Sequence, residues 1–190
     1  MNIDKAIHSR RSVRIFTEQL VDLEFIHQII DAGRWAPTAT NKQEARFIYI
    51  DDKNIISKLC SLGTAYFVEN CQQMVLVLYD NRIDNVEYHD DVLSAAAVIQ
   101  NMLLKATQLG IGTCWVANLP SKAALRKLFD IPAYYDPISL IVLGHAVRKP
   151  KEVKRKQGLD AILFYNCFDK TEVHQKKDEK MNISAFNIEF

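Results

Sequence analysis

The sequence predicts a mixed α/β or α+β domain in which one sheet is covered by helices. Three observations carry this. β-Branched runs of strand length alternate with helix-periodic stretches along the chain, and no internal repeat or low-complexity linker interrupts them. A chain of 190 residues, 48% of them hydrophobic, is long enough for one large core, since a domain of this size buries roughly 70% of the surface its unfolded form would expose. The composition excludes a disordered chain, a collagen-like repeat and a disulfide scaffold.

Taken in order, residues 2–10 read as a short helix. A better-marked helix follows: Asp22 stands at its cap, and Leu23, Ile26, Ile29 and Ile30 repeat at helical spacing. It must end near Trp35, because Pro37 disfavours the α region at Ala36. Thr38, Ala39, Thr40 and Asn41 then read as a loop. Arg46–Ile50 and residues 74–79 are β-branched and aromatic runs of strand length, with helices expected between them at 53–60 and 65–71. Residues 92–109 form a long helix ended by Gly110, a natural C′ residue. Apolar residues fall on nearly every side of it, so it needs cover all round, from its own core or from a partner. Gly112–Val116 is a short strand, Ser121 caps a helix through Phe129, and residues 138–143 are the most strand-like stretch.

After Leu163 the character changes. Residues 170–180 are rich in charge, and 186–190 alternate apolar and polar as a half-buried strand does. Such a terminal segment suits a sheet edge, here or on another subunit, and a frayed end is the alternative.

Charge and cysteine usage narrow the function classes. The formal net charge is +1, against the strongly basic balance of a dedicated nucleic-acid binder. The amino-terminal residues lack the apolar stretch of a secretory signal, and no run of about 20 apolar residues is present to span a membrane. Cys60, Cys71, Cys114 and Cys167 form no C-x-x-C pair, so reduced thiols in the cytoplasm are expected. The five histidines show no metal-ligand spacing.

The near-neutral total hides two basic runs. Residues 1–16 hold Lys5, Arg10, Arg11 and Arg14 against Asp4, and residues 148–156 hold Arg148, Lys149, Lys151, Lys154, Arg155 and Lys156 against Glu152. Two such runs can converge on one anion, and the Arg10-Arg11-Ser12-Val13-Arg14 run offers guanidinium forks and a hydroxyl suited to phosphate. Solvated faces are the plain alternative. Nucleic acid fits less well, for want of an interleaved aromatic platform or a helix-turn-helix or zinc-finger spacing. The glycines of Leu109-Gly110-Ile111-Gly112-Thr113 follow a helix and precede a strand, the reverse of a dinucleotide fingerprint. A nucleotide-like cofactor would therefore be held by side chains.

Four stretches, in order, resemble the FMN-dependent nitroreductase family over about residues 5–160. They are residues 10–16 (RRSVRIF), 32–43 (AGRWAPTATNKQ), the Ala-rich helix leading to 109–115 (LGIGTCW), and Leu143-Gly144-His145 followed by the basic segment to Lys156. The resemblance implies an α+β fold with a central, mostly antiparallel sheet covered by helices, in an interlocked homodimer with FMN at the subunit interface. Residues 1–163 would form the FMN-binding domain, and 164–190 a carboxy-terminal arm able to pack on the partner.

The same resemblance assigns residues. Arg10 and Ser12 would address the phosphate, with Arg11 beside them, and Arg14 would lie near the pyrimidine edge. A cation there stabilises the negative charge of reduced flavin. Thr38, Ala39, Thr40 and Asn41, in a loop that also holds Pro37 and Gln43, would reach the cofactor from the partner subunit. Cys114, Trp115, Val116 and Ala117 would run along the ring, with a backbone N–H near Ala117 aimed at flavin N5. Lys154, Arg155 and Lys156 match the late phosphate-binding basic pair, and which two point inward stays open. No catalytic side chain is expected. Trp35 and Phe16 are expected in the core, Cys114 as a small buried hydrophobe, and His145 in a structural role.

The implied activity passes electrons from NADH or NADPH, by a ping-pong route, to a small electron-poor acceptor such as a nitroaromatic or quinone. Neither nucleic acid nor membrane is an expected partner. Another FMN reaction on the same fold (reductive dehalogenation, flavin breakdown, biosynthetic oxidation) and a non-enzymatic flavoprotein are the alternatives. Residues 80–91 make a short polar link where many family members carry a longer segment, which implies a more open or differently covered pocket.

Overall fold

The computed structural model describes residues 1–82, 85 and 87–168. The charged stretch 170–180 and the strand expected at 186–190 lie outside the described residues. The chain divides into two units, Met1–Glu152 and Val153–Phe190. In the second, the described residues hold one 3-10 turn, Leu159–Ala161, and a tilted pair of rings, Phe164 and Phe168, with centroids 4.4 Å apart.

The first unit is built on a four-stranded antiparallel sheet. Its strands are β1 (Arg46–Ile50), β2 (Gln73–Asp80), β3 (Gly112–Val116) and β4 (Tyr135–Gly144), in spatial order β1-β2-β4-β3. Among the described residues, five α-helices flank them: α1 (Ile3–Ser9), α2 (Leu23–Arg34), α3 (Lys53–Ser61), α4 (Asp90–Gln108) and α5 (Lys122–Phe129). The expected α+β architecture is thus the observed one.

Side-chain alternation along the strands sorts two cores. Val75, Val77, Ile141 and Leu143 pack with Ile26, Ile29, Val98, Ile99 and Met102 of α2 and α4. Met74, Leu76, Cys114, Val116, Leu140 and Val142 pack on the other side with Ile56 and Leu59 of α3 and Leu125 of α5. All eight residues of β2 are buried, which is why it reads as a continuous apolar run. Pro137, which cannot donate to a ladder, sits opposite Leu78 where the register of β2 on β4 shifts.

Local signals account for most element ends. Asn2 accepts from the Lys5 N–H, Asp52 from Asn54 and Ile55, and Ser121 from Ala124. Asp22 occupies the cap position of α2, but its side chain makes no cap bond; its main-chain carbonyl accepts from Phe25 and Ile26 instead. Gly110, with φ of +80°, follows α4 as the sequence suggests.

Three expectations need correction. Residues 65–71 close into a 3-10 turn, Tyr66–Asn70, rather than an α-helix, with the Val68 N–H donating to the Ala65 carbonyl and the Cys71 N–H to that of Val68. Ala39–Asn41 inside the expected loop also form a 3-10 turn. Trp35 is not in the core: it is 81% exposed, lying past the last turn of α2, whose buried stripe ends at Gly33. Phe16, by contrast, does pack against the α3/α5 core. Helix α4 buries one face against its own subunit, yet Val92 and Leu93 remain 41% and 61% exposed.

Candidate functional site

The site is built around the chain entering the sheet. After α1, residues 12–16 lie against the β3/β4 end: the Val13 N–H donates to the Thr113 carbonyl at 2.8 Å, and Thr17 to that of His145 at 2.8 Å. Ser12 bridges Thr113 and Phe16 bridges Ala146. Gly112 and Gly144 face each other across β3 and β4. A Cβ on Gly112 would come within 3.1 Å of Val13, and one on Gly144 within 2.9 Å of the Phe16 ring. The two glycines thus form the notch that seats the segment, since an added Cβ would force Val13 or Phe16 to move.

Alternation then decides what the segment presents. Val13 is buried, while Arg10, Ser12 and Arg14 share the other side. All three act on the Cys114 thiol: burial pushes its pKa up, and the Arg14 charge, a hydrogen bond from Ser12 and the Arg10 charge pull against it. Burial wins, so the thiol stays protonated and behaves as a small buried hydrophobe. Cys71, in the same core, is pushed up to about 12 by burial and by its neighbours Cys114 and Cys60. The Arg14 guanidinium also lies 5.7 Å from the centroid of Phe67, a cation–π contact that helps fix it.

The two basic runs meet here in part. The Val147 N–H donates to Ile15 at 3.3 Å, and Arg11 Nε donates to the Lys151 carbonyl at 3.3 Å, so residues 147–151 lie alongside the amino-terminal run. Lys154, Arg155 and Lys156 are exposed residues of the second unit.

β3 is an edge strand, and its outer side borders this cluster. The Thr113 carbonyl points outward to Val13, so by alternation the main-chain groups of Trp115 also point outward, whereas the Val116 carbonyl points inward and accepts from Ser139 Oγ at 3.1 Å. Trp115 and Ala117 are exposed; Cys114 and Val116 are buried in the α3/α5 core with their main-chain groups turned toward β4, so they support the strand rather than face a ligand.

The loop at 37–43 lies elsewhere. It leads into β1, the opposite edge of the sheet, three strand spacings or about 14 Å from β3. It is tied down by its own hydrogen bonds: Gln43 N–H to Thr38 Oγ1 at 3.1 Å, Gln43 Nε2 to Asn41 Oδ1 at 2.9 Å, and Ala39 N–H to Ser94 Oγ at 3.1 Å. Thr40, Asn41 and Gln43 all adopt positive φ, from 50° to 57°. Left-handed backbone at three non-glycine residues is costly and concentrates at functional sites. Thr38, Asn41 and Gln43 also line a cavity of about 480 Å³ with Arg34, Trp35 and Phe47. Within one chain, then, residues 10–14, 114–117 and 147–151 converge, and residues 37–43 do not join them.

A model of the nitroreductase family matches residues 7–66 and 58–145, spanning the arginine-serine segment, the 37–43 loop and all four strands. The chain belongs to the nitroreductase family. Among its relatives is an Archaeoglobus fulgidus protein provisionally named NADH dehydrogenase/NAD(P)H nitroreductase, 29% identical over 91% of this chain and 97% of that one. An FMN reductase [NAD(P)H] of Bacillus subtilis is 28% identical over 94% of this chain and 80% of its own length. A Desulfovibrio desulfuricans protein solved in complex with FMN superposes with a TM-score of 0.74 at 29% identity, covering 88% of this chain and 98% of that one.

The residues present fit the cofactor that a nitroreductase would hold. A phosphate needs a cation and a hydroxyl, which Arg10 and Ser12 supply on one side of a seated strand, and Arg14 on the same side offers a cation for the pyrimidine edge of the ring. A flavin ring needs main-chain donors and acceptors along one edge, which the outer side of β3 supplies. Among the described residues no group of three or more His, Cys, Asp or Glu is placed to hold a metal, and no helix is long and apolar enough to cross a membrane. Sequence reasoning missed Phe67 under Arg14 and Ser94 under the 37–43 loop. Their signal is purely spatial, since each lies more than fifty residues from its partner.

Proposed function

We propose that the protein is an FMN-dependent oxidoreductase that takes electrons from NADH or NADPH and passes them to a small electron-poor acceptor such as a nitroaromatic or quinone. The observation that carries this reading is the cation-and-hydroxyl face of Arg10, Ser12 and Arg14 set against the open edge of β3. Bound FMN would supply hydride uptake from the nicotinamide and its delivery to the acceptor, both at one place used in turn, hence ping-pong kinetics.

The chain's own residues hold and tune that group. Arg10 and Ser12 bind the phosphate. Arg14 sets a positive charge beside the pyrimidine edge, favouring the reduced, anionic form. The outward main-chain groups of Trp115 and a backbone N–H near Ala117 orient the ring, with Cys114 and Val116 fixing the strand from beneath. No side chain is asked to transfer a proton.

We also infer a homodimer in which Pro37, Thr38, Ala39, Thr40, Asn41 and Gln43 of one subunit complete the site of the other. The wide separation of this loop from β3 within one chain supports that reading. So do the exposed Trp35, Ile3, Ile7 and Leu93, apolar residues that a partner would cover. Residues 1–163 then carry the flavin site, and 164–190 serve as an arm. Four unpaired cysteines suit a reducing compartment, the cytoplasm.

The test is steady-state oxidation of NADPH and NADH by the FMN-loaded protein against a panel of quinones and nitroaromatics. Parallel double-reciprocal lines are expected; flavin that is reduced without turnover of any acceptor would point instead to an electron store.

A further inference from the structure

The second arginine of the amino-terminal run behaves unlike the first. Arg11 Nη1 donates to the His8 carbonyl at 2.7 Å and to the Arg10 carbonyl at 2.7 Å, and its Nε donates to the Lys151 carbonyl at 3.3 Å. A guanidinium has five N–H donors: one on Nε and two on each terminal nitrogen. Three are therefore committed to main-chain oxygens. Gripping a phosphate with two parallel bonds takes either Nε with a terminal nitrogen, or both terminal nitrogens. With Nε and Nη1 both committed, neither forked face is left.

The three acceptors belong to three different stretches. His8 lies in the last turn of α1, where carbonyls lack helical partners and a cation is favoured. Arg10 is the first residue of the cationic face. Lys151 lies in the second basic run, 140 residues away in sequence.

We propose that Arg11 is a positioning residue: it clips the end of α1, the main chain at Arg10 and the main chain at Lys151 together, so that the cationic face of residues 10–14 and residues 148–151 are held side by side at one phosphate. It sets the spacing of the charges that bind and does not bind the phosphate itself. This rests on the FMN reading above and adds to it a division of labour between adjacent arginines.

The test is titration of the apo-protein with FMN over a series of salt concentrations, for the unaltered protein and for Arg10→Gln, Arg11→Gln and Arg11→Lys, with circular dichroism to establish folding. Arg10→Gln should weaken binding and flatten the salt dependence, because one ionic contact is gone. Arg11→Gln should weaken binding about ten-fold, the scale of one or two lost hydrogen bonds, with the salt slope kept. Arg11→Lys should fare no better, since an ammonium cannot bridge three carbonyls in the planar pattern. Restoration of full affinity by Arg11→Lys, or a flattened slope in Arg11→Gln, would overturn the proposal. Should both Arg11 variants fail to fold, the Arg11 Nε–H resonance of the unaltered protein decides. It should stay put between riboflavin and FMN complexes while that of Arg10 moves, and the opposite pattern overturns the assignment. An unaltered protein that binds no FMN at any salt concentration contradicts the function itself, a separate outcome.

Discussion

At the scale of single residues, the site depends on groups that hold a strand in place as much as on those that face the ligand. Replacing Arg10 and Ser12 together by Ala removes a charged donor and a hydroxyl. FMN affinity should fall about ten- to a hundred-fold, the range for hydrogen bonds to charged groups, with the fold intact; unchanged affinity in a fluorescence titration would take these residues out of the site. Gly144→Ala should act indirectly. Its methyl meets the Phe16 ring at 2.9 Å, so residues 12–16 must shift. Overpacking of this kind costs about 1–3 kcal/mol, measurable by urea unfolding, with weakened FMN binding alongside.

Asp136 gives a pH prediction. Burial pushes its carboxyl up, but hydrogen bonds from Lys122 and Asn81 and the charges of Lys122 and Arg126 outweigh this and hold it below the usual range. Asp80 is held down in the same direction, first by the Arg82 hydrogen bonds. A depressed folded-state pKa contributes stability above the unfolded value, about 3.9, and loses it as pH falls through the folded value. Thermal midpoints should therefore drop below about pH 4. Asp136→Asn should cost about 1–3 kcal/mol at neutral pH and flatten the acid limb; an acid limb identical to that of the unaltered protein would refute the assignment.

At the scale of elements, helix α2 packs on α4 through Gly33, where an added Cβ would come within 2.9 Å of Met102 and 3.1 Å of Val98. Gly33→Ala should push the helices apart and lower the unfolding free energy by about 1–3 kcal/mol, despite the better helix propensity of alanine. Much of this scale was legible in the sequence. The β1 and β3 strands fall where their β-branched and aromatic runs place them, and Ser121 and Gly110 mark helix ends by chemistry that acts within a few residues. The failures share a cause. Trp35 was expected inside because large aromatics dominate cores, but its burial depends on what lies beyond the end of α2, which no local pattern encodes. At 65–71 the residue types suit a helix but do not distinguish α from the tighter 3-10 turn that forms.

The candidate site divides the same way. The Arg10-Arg11-Ser12-Val13-Arg14 run shows guanidinium forks and a hydroxyl in the sequence, but that Arg10, Ser12 and Arg14 share one side follows only from the chain seated on β3. The glycines at 112 and 144 were visible as motif letters, but their use as a notch for Val13 and Phe16 was not. Nor was the role of Arg11, whose acceptors are main-chain oxygens and carry no signature in side-chain identity.

At the scale of the whole molecule, one chain places the 37–43 loop and the 10–14 face at opposite edges of a sheet, together with exposed apolar side chains on α1 and α4. Pairing two copies is the economical way to bring loop and face together. Sedimentation should find a dimer, and Leu93→Asp should shift it toward monomer with weaker FMN retention; a flavin-loaded monomer would separate dimerisation from the site. The central claim is that the amino-terminal arginines and the edge of β3 together form an FMN site. Its most direct test is an anaerobic absorption titration of the purified protein with FMN and then NAD(P)H. The account predicts saturation at one FMN per chain, bleaching by NADH or NADPH and recovery on adding a quinone. Protein that takes up no flavin in excess FMN and gains no thermal protection from it would contradict the account.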